Sequence, residues 1–166
     1  MQFKRLSTTF VEQTKNLLEV LEDKGRGYCT IQVKYKDLLF AVPLRSNLNH
    51  TRGKALKIGG APVSFITDPF YDSARKCTCY RGLDYQKALL LSDPNEDFSS
   101  NYPLPDNNQK TLLRDNEHKI TKQFRRYVDS YKRGCNQSLP YKRSFYKSTL
   151  VNYHSLIGVK VSYQVN

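Results

Sequence analysis

The N-terminal part of the chain predicts a strand, a helix and a hairpin from its pattern of hydrophobic and polar positions. Residues 2–7 alternate weakly, which predicts a first strand. From Thr8 or Thr9, either of which suits a helix N-cap, apolar residues recur at helical spacing. The helix is expected to stop at the glycine-rich residues 25–27. Residues 28–42 then alternate with period two around one tight turn and predict a β-hairpin.

The middle of the chain is less regular. Residues 50–62 hold three glycines and a proline among basic residues, which predicts a mobile basic loop. They lack the glycine and lysine spacing of a phosphate-binding loop, so that interpretation is rejected. Residues 63–66 and 88–91 have the pattern of short strands, and residues 93–105 that of a surface connection. Turn signals between the two strands are Asp68-Pro69 and Arg81-Gly82.

A long helix is predicted in the C-terminal half. Asp106 and Gln109 have capping-box spacing, and the helix is expected to run to about Arg133, with Gly134 as its stop. A buried stripe at helical spacing comprises Leu113, Ile120, Phe124, Tyr127, Val128 and Tyr131. The opposite, basic face comprises Lys119, Lys122, Arg125, Arg126, Lys132 and Arg133. Residues 159–165 alternate again and predict a final strand.

Positive charge is concentrated in this half of the chain. Residues 110–147 hold eleven basic and three acidic residues, a net +8 out of the whole charge of +12. A solvated helix face would intersperse acids at i, i+4 spacing, so their scarcity favours a surface that follows the phosphates of a polyanion. After Pro140, aromatic rings alternate with basic residues, which suits stacking on unpaired bases. Further predicted RNA-binding residues are Lys54, Lys57, Tyr141, Lys142, Arg143, Tyr146 and Lys147.

Size and composition indicate a single domain over residues 1–166. The chain can bury one core, and its 39% hydrophobic and 12% aromatic residues are a globular composition. There is no apolar run near the length of a membrane span, and the N-terminus lacks the apolar stretch of a secretory signal. A cytoplasmic location is therefore expected. At a net charge of +12, a phosphate polymer is favoured as partner over an anionic membrane.

The four cysteines are expected to be free thiols, because the cytoplasm is a reducing compartment. Cys77 and Cys79 are separated by one residue, where zinc sites usually have two or more, and no second pair matches them. Neither a metal site nor a cofactor is expected.

The segment 40–50 is predicted to be the functional centre. An apolar run suited to a buried strand reaches Pro43, which has no N–H to donate to a sheet and is expected to end the strand. Arg45 then offers a fixed positive charge, Ser46 a hydroxyl and His50 a group that titrates near neutrality. This combination suits the handling of a phosphodiester. The alternative is a strand end followed by a solvated loop.

Several of these motifs resemble, in the same chain order, the ToxN/AbiQ family, the toxins of type III toxin–antitoxin systems. They are the strand end at residues 40–46, Gly25-Arg26-Gly27-Tyr28, the basic helix, and Tyr141-Lys142-Arg143 with Tyr146-Lys147. The resemblance is greatest to the TenpN branch and spans essentially the whole chain. In the ToxN pattern a Thr-Ser pair follows proline-leucine; here Arg45 replaces the threonine and Ser46 keeps the serine. Arg26 lies where that pattern has a lysine.

The resemblance implies an α+β fold with a compact, strongly curved, mostly antiparallel barrel-like sheet flanked by helices. It implies a metal-independent endoribonuclease that cleaves cellular mRNA at specific sequences and acts in phage defence. It also implies an RNA antitoxin, a small repeat-derived pseudoknot that the enzyme processes and then binds in a closed protein–RNA assembly. DNA and membranes are not expected partners.

The expected reaction is attack of an RNA 2′-hydroxyl on the adjacent phosphorus, which leaves a 2′,3′-cyclic phosphate and a 5′-hydroxyl. It needs proton transfer and positive groups around the pentavalent oxyanion, and no metal is required. Proton transfer is assigned to His50. Charge stabilisation is assigned to Arg45 and Arg26, and a hydrogen bond to a phosphate oxygen to Ser46.

Other interpretations remain open at this point. A non-catalytic RNA-binding protein needs only the charge and the aromatic rings. A metal-dependent nuclease needs clustered carboxylates, and only a loose Asp84-x-x-Lys87 pattern is present. A structural protein with an incidental basic patch would not bind RNA with a steep salt dependence. Within the nuclease hypothesis, His118 and His154 are alternatives to His50.

Overall fold

An antiparallel sheet of seven strands is the frame of this α+β fold, in a computed structural model that describes residues 1–22, 28–137, 145 and 147–160. The strands of the described residues are β1 (Phe3–Leu6), β2 (Cys29–Tyr35), β3 (Leu38–Arg45), β4 (His50–Thr51), β5 (Lys54–Ala55), β6 (Lys57–Ile58), β7 (Ala61–Pro62), β8 (Ser64–Asp72), β9 (Cys77–Asp84), β10 (Leu89–Leu90) and β11 (Phe98–Asn101). The helices are α1 (Thr8–Thr14), α2 (Pro94–Asp97), α3 (Asn107–Asp115), α4 (Glu117–Asn136) and α5 (His154–Ile157), with short 3-10 helices at Tyr85–Lys87 and Thr149–Tyr153.

The large sheet is open. Its strand order is β11-β1-β2-β3-β9-β8, with β10 also paired to β3, and β11 and β8 form its two edges. The α+β class and the antiparallel sheet agree with expectation. The barrel-like closure expected from the resemblance is not found among the described residues.

Strand β3 joins the two halves of the sheet. It pairs with β2 as far as Pro43, which is opposite Thr30, and then with β9, where Arg45 is opposite Gly82. The prediction that Pro43 ends the strand was wrong by two residues, because the strand continues to Arg45. Pro43 is the last residue of β3 that pairs with β2, and the pairing with β9 begins at the next residue, Leu44.

The β8–β9 hairpin is longer than the sequence suggested. Pro69 pairs with Tyr80, and a register shift between Ile66 and Pro69 accommodates the Asp68-Pro69 pair inside the strand. Arg81-Gly82 also lies inside a strand, so neither pair forms a turn. The turn lies at residues 73–76, where the Asp72 carboxylate accepts the backbone N–H groups of Ala74 and Arg75.

Residues 50–62 form two small hairpins, β4–β5 and β6–β7, instead of the irregular loop that was predicted. Their turns are Arg52-Gly53 and Gly59-Gly60, and all four residues have positive φ, between 49° and 79°. Two consecutive positive φ angles are typical of the two-residue turn that matches the twist of a hairpin. The glycines therefore terminate short strands here.

Helix α1 is much shorter than predicted. Its N-cap is Ser7, whose hydroxyl accepts the N–H of Phe10, and it ends at Thr14. Beyond it, the side-chain amide of Asn152 accepts the Leu18 N–H at 3.0 Å and donates to the Leu18 carbonyl at 2.9 Å. Tertiary bonds thus satisfy backbone groups that a longer helix would have paired. The predicted stop at residues 25–27 lies outside the described residues.

The long C-terminal helix is divided in two. Asp106 caps α3 by accepting the Gln109 N–H at 3.0 Å, as predicted. Asn116 (φ −105°, ψ 13°) interrupts the helix, and its side chain donates to the Leu112 carbonyl. Helix α4 then continues through the buried Gly134, which was wrongly expected to be its stop.

The core has two parts, one on each face of the sheet. All six residues of the predicted stripe on α3 and α4 are buried, and Phe124 meets Phe40 edge-on with ring centroids 5.3 Å apart. Phe40 and Val42 of β3 belong to this larger cluster. Ala41, which alternates with them, belongs to a smaller cluster with Phe10 of α1.

The remaining predictions have mixed outcomes. The turn at Lys36-Asp37 is confirmed, and the strand predicted at residues 88–91 is present as the shorter β10 at Leu89–Leu90. The surface connection at residues 93–105 includes α2 and the edge strand β11. Val159 and Lys160 are not in a strand, and the rest of the predicted final strand lies outside the described residues.

The four cysteines are free thiols. The sulfur atoms of Cys77 and Cys79 are 3.8 Å apart, and the described residues contain no group of three or more His, Cys, Asp or Glu side chains suited to a metal ion. None of the described helices is long and apolar enough to cross a membrane.

His154 should make the stability depend on pH. Burial lowers the pKa of His154, whose Nε2 lies 2.7 Å from the Tyr131 hydroxyl. The unfolded chain then binds a proton at higher pH than the folded chain, so the free energy of unfolding should fall as pH drops below about 6.5 and level off below the native pKa. Urea unfolding at pH values of about 7.5 and 5 measures this loss. His154→Gln should show a smaller loss over the same interval, and an equal loss would contradict the assignment.

Candidate functional site

Arg45 is held by a buried carboxylate. One guanidinium nitrogen, Nη1, donates to Oδ2 of Asp84 at 2.6 Å, and the Asp84 side chain is only 7% exposed. The other carboxylate oxygen accepts the Gln86 N–H at 3.0 Å. The Arg45 side chain keeps 33% of its surface exposed. Its charge is therefore fixed in position and still accessible from solvent.

The backbone around Arg45 is closely packed. Gly82, opposite Arg45 on β9, has φ +149°, and a Cβ built there would lie 1.9 Å from the Phe65 carbonyl oxygen. Strand β8 therefore approaches β9 at this point more closely than any side chain would permit. This approach fixes the strand that bears Asp84.

Arg45 and Ser46 lie between two open grooves of about 450 and 480 Å³. Both grooves share Tyr28, Leu44, Arg45 and Ser46. The smaller groove continues toward Cys29, Arg81, Tyr102, Leu104, Pro105, Asp106 and Gln109. The larger one continues toward Val20, Leu21, Glu22, Asn47 and Arg75. We call the smaller groove, which reaches Arg81 and Tyr102, the Arg45 groove.

A second guanidinium lines the Arg45 groove. Nη1 of Arg81 lies 3.5 Å from Oδ2 of Asp106 and 3.7 Å from Oδ2 of Asp68. The guanidinium also lies over the Phe70 ring, 4.5 Å from its centroid. Arg81 was predicted only to form a turn with Gly82, because its convergence with Arg45 depends on the pairing of β3 with β9.

The thiol in this groove is not suited to act as a nucleophile. Cys29 is buried, and burial raises the pKa of its thiol to about 12. A thiol with that pKa stays protonated at neutral pH, so its sulfur remains unreactive. The groups that can donate to an anion here are the Ser46 hydroxyl and the two guanidiniums, each of which is also paired with a carboxylate.

His50 lies outside the lining of both grooves. It is exposed on β4, and its ring packs against Tyr80 of β9 with centroids 4.2 Å apart. Its Nδ1 accepts the Gly53 N–H at 3.3 Å, which places the proton of the neutral ring on Nε2. Leu48 N–H donates to the Tyr80 carbonyl and holds the connecting segment on the same strand. The structure thus brings Arg45 and Ser46 together and places His50 beside Tyr80.

The other predicted catalytic residues are located as follows. Arg26 lies outside the described residues. His118 is exposed on α4, whereas His154 is half-buried against Tyr131. Neither histidine lines the two grooves beside Arg45.

The basic face of α4 is exposed except for the half-buried Lys132. Within the described part of the chain, none of its six cations takes part in a salt bridge with an Asp or Glu side chain, so the charge of this face is not neutralised by ion pairing. Its three guanidiniums instead donate to backbone carbonyls. The bonds are Arg125 to Lys34 at 3.1 Å, Arg126 to Gly60 at 3.4 Å and Arg133 to Gly59 at 3.5 Å.

The remaining predicted RNA-binding residues are scattered. Lys54 and Lys57 are exposed on the two small hairpins, and Lys147 is exposed before the last 3-10 helix. Tyr141, Lys142, Arg143 and Tyr146 lie outside the described residues. Tyr28 and Tyr102, which line the Arg45 groove, were absent from the sequence-based set because their place depends on tertiary contacts.

No family model matches the chain, and searches of curated proteins and of solved structures found no match. The resemblance to the ToxN/AbiQ toxins rests only on the short sequence motifs and stays a prediction.

Proposed function

We propose that this protein is a metal-independent endoribonuclease, the toxin of a type III toxin–antitoxin system, and that it cleaves RNA beside Arg45 and Ser46. The observation that supports this proposal is the Arg45 groove itself. It presents the accessible Arg45 guanidinium, which Asp84 holds, together with the Ser46 hydroxyl and the Arg81 guanidinium. Arg45 and Ser46 lie at the end of β3, where the sequence motif is found. Positioned cations of this kind stabilise the charge that develops on a phosphorane oxygen.

In this mechanism the nucleophile is the 2′-hydroxyl of the RNA, so the protein supplies orientation, charge and proton transfer. Arg45 faces the non-bridging oxygens, and Ser46 donates a hydrogen bond to one of them. His50, on the neighbouring hairpin, remains the predicted proton-transfer residue, and its loss should cost on the order of 100- to 10,000-fold in rate. The products are a 2′,3′-cyclic phosphate and a 5′-hydroxyl.

Ser46→Ala should reduce the cleavage rate about 100-fold in the presence of a chelator, because one donor to the phosphorane is lost. The measurement uses purified protein with cellular RNA and EDTA, and maps cyclic-phosphate ends. Ser155→Ala is the matched control, since Ser155 is exposed on α5. Cleavage that disappears with EDTA, or that survives unchanged in Ser46→Ala, would contradict the proposal.

A non-catalytic RNA-binding protein is the second candidate function. It is favoured by the fact that neither groove beside Arg45 is lined by a described histidine. The end-mapping experiment separates the two candidates, because a binding protein leaves no cyclic-phosphate ends.

The antitoxin half of the proposal has its own test. The gene should follow a tandem repeat of a few dozen nucleotides, and expression of the protein without that repeat RNA should stop growth. Growth that is unaffected by removal of the repeat would contradict the toxin assignment while leaving the nuclease activity intact.

A further inference from the structure

Two cations on α3 are free of the intramolecular contacts that engage the guanidiniums of α4. Lys110 is half-buried and Arg114 is exposed, and they lie one helical turn apart. Within the described part of the chain, neither side chain takes part in a hydrogen bond or an ion pair. Both are available to an external anion.

These two cations line a groove of about 450 Å³, which we call the α3 groove. Gln2 and Asn101 contribute amide groups to it, and no described acidic residue lines it. Its volume falls in the range of roughly 300 to 1,000 Å³ that is usual for small-ligand sites. Cations, amides and an aromatic ring in one groove are the groups that bind an unpaired nucleotide.

Tyr102 connects the α3 groove with the Arg45 groove, because it lines both. Its backbone N–H donates to the Phe3 carbonyl at 2.8 Å, which holds it against β1. The Arg5 guanidinium lies 5.4 Å from the centroid of its ring. The ring is therefore positioned at the junction of the two grooves, where a base can stack on it.

We infer that an RNA strand cut beside Arg45 continues past Tyr102 into the α3 groove, so that the substrate is single-stranded over at least about two nucleotides on that side. A base stacks on Tyr102, and Lys110 and Arg114 bind the phosphates that follow. The inference rests on the proposed function, since Arg45 marks the cleaved linkage. It places the substrate track on α3 and not on the more strongly charged α4.

The test compares two double variants that each remove two positive charges from a helix. Lys110→Ala/Arg114→Ala changes the α3 groove, and Lys119→Ala/Lys122→Ala changes the basic face of α4. Fluorescent 2′-fluoro oligoribonucleotides of mixed sequence, which lack the attacking hydroxyl, serve as probes in lengths of 2 to 12 nucleotides. Anisotropy titrations at several salt concentrations give the affinity and its salt dependence.

The α3 variant should weaken binding of the longer probes about tenfold and reduce the slope of log K against log salt by about 1.4, the value for two phosphate contacts on a single strand. The α4 variant should weaken binding by a smaller factor than the α3 variant does. Tyr102→Leu should weaken binding about tenfold, and Tyr102→Phe, which keeps the ring, should not. Thermal melting of each variant confirms that it is folded.

The outcomes separate this inference from the proposed function. Equal losses in the two double variants, a larger loss in the α4 variant, or no RNA binding at all would overturn the inference. If the α3 variant alone loses affinity but unmodified RNA is never cleaved, the single-strand track stands and the nuclease proposal fails. If RNA is cleaved and the α4 variant alone loses affinity, the nuclease proposal stands and the track lies elsewhere.

Discussion

Gly82→Ala should destabilise the protein by about 3 kcal/mol or more, the upper range for forcing extra atoms into a packed interior. The added Cβ would lie 1.9 Å from the Phe65 carbonyl oxygen, and the contact is with backbone that cannot rotate away. The φ of +149° adds strain for any residue with a side chain. Strands β8 and β9 must separate to relieve the clash, and this moves Asp84 away from Arg45. Chemical denaturation followed by circular dichroism measures the loss.

Gly60→Ala is the control for this variant. Gly60 also has a positive φ, +79°, but a Cβ added there would meet no atom within 4 Å. It should therefore cost only the left-handed backbone penalty of about 1 to 2 kcal/mol. Equal losses at Gly82 and Gly60 would show that the close approach of β8 to β9 does not exist.

Arg45→Ala should reduce RNA cleavage about 100-fold or more and also lower the stability by about 1 to 3 kcal/mol. The activity is lost because the phosphorane loses its guanidinium. The stability falls because the Asp84 carboxylate stays buried without its cation. The loss is no larger than about 3 kcal/mol because water can reach the space that the partly exposed Arg45 side chain leaves. Denaturation and cleavage assays on the same preparation separate the two effects.

The double variant Arg45→Ala/Asp84→Asn distinguishes catalysis from structure. The asparagine side chain can still accept the Gln86 N–H. Because it is uncharged, it does not need a cation beside it. Stability should recover in large part, whereas cleavage should remain at the level of Arg45→Ala. Recovery of cleavage in the double variant would mean that Arg45 acts only by stabilising the fold.

The parts of this fold that were predictable are those set by local periodicity. The stripe from Leu113 to Tyr131 was predicted because a buried helix face repeats every three to four residues. The cap at Asp106 and the β2–β3 hairpin were predictable for the same reason, since each depends only on residues close together in the sequence. Helix α1 was overextended because periodicity continued to Leu21, while the bonds of Asn152 to Leu18 come from 134 residues away.

The candidate site was only partly predictable for the same reason. Arg45 and Ser46 were found because an apolar strand changes to polar residues at that point. Asp84 and Arg81 join them through the pairing of β3 with β9, and no local pattern reports that pairing. The convergence of Tyr102 with Lys110 and Arg114 likewise depends on how β11 and α3 pack.

The two hydrogen bonds between Asn152 and Leu18 can form only late in translation. Leu21 and Glu22, just beyond Leu18, form a wall of the larger groove beside Arg45. Because ribosomes make the N-terminus first, these two hydrogen bonds cannot form until residue 152 has emerged from the exit tunnel. A nascent chain that has not yet exposed residue 152 therefore carries an incomplete groove.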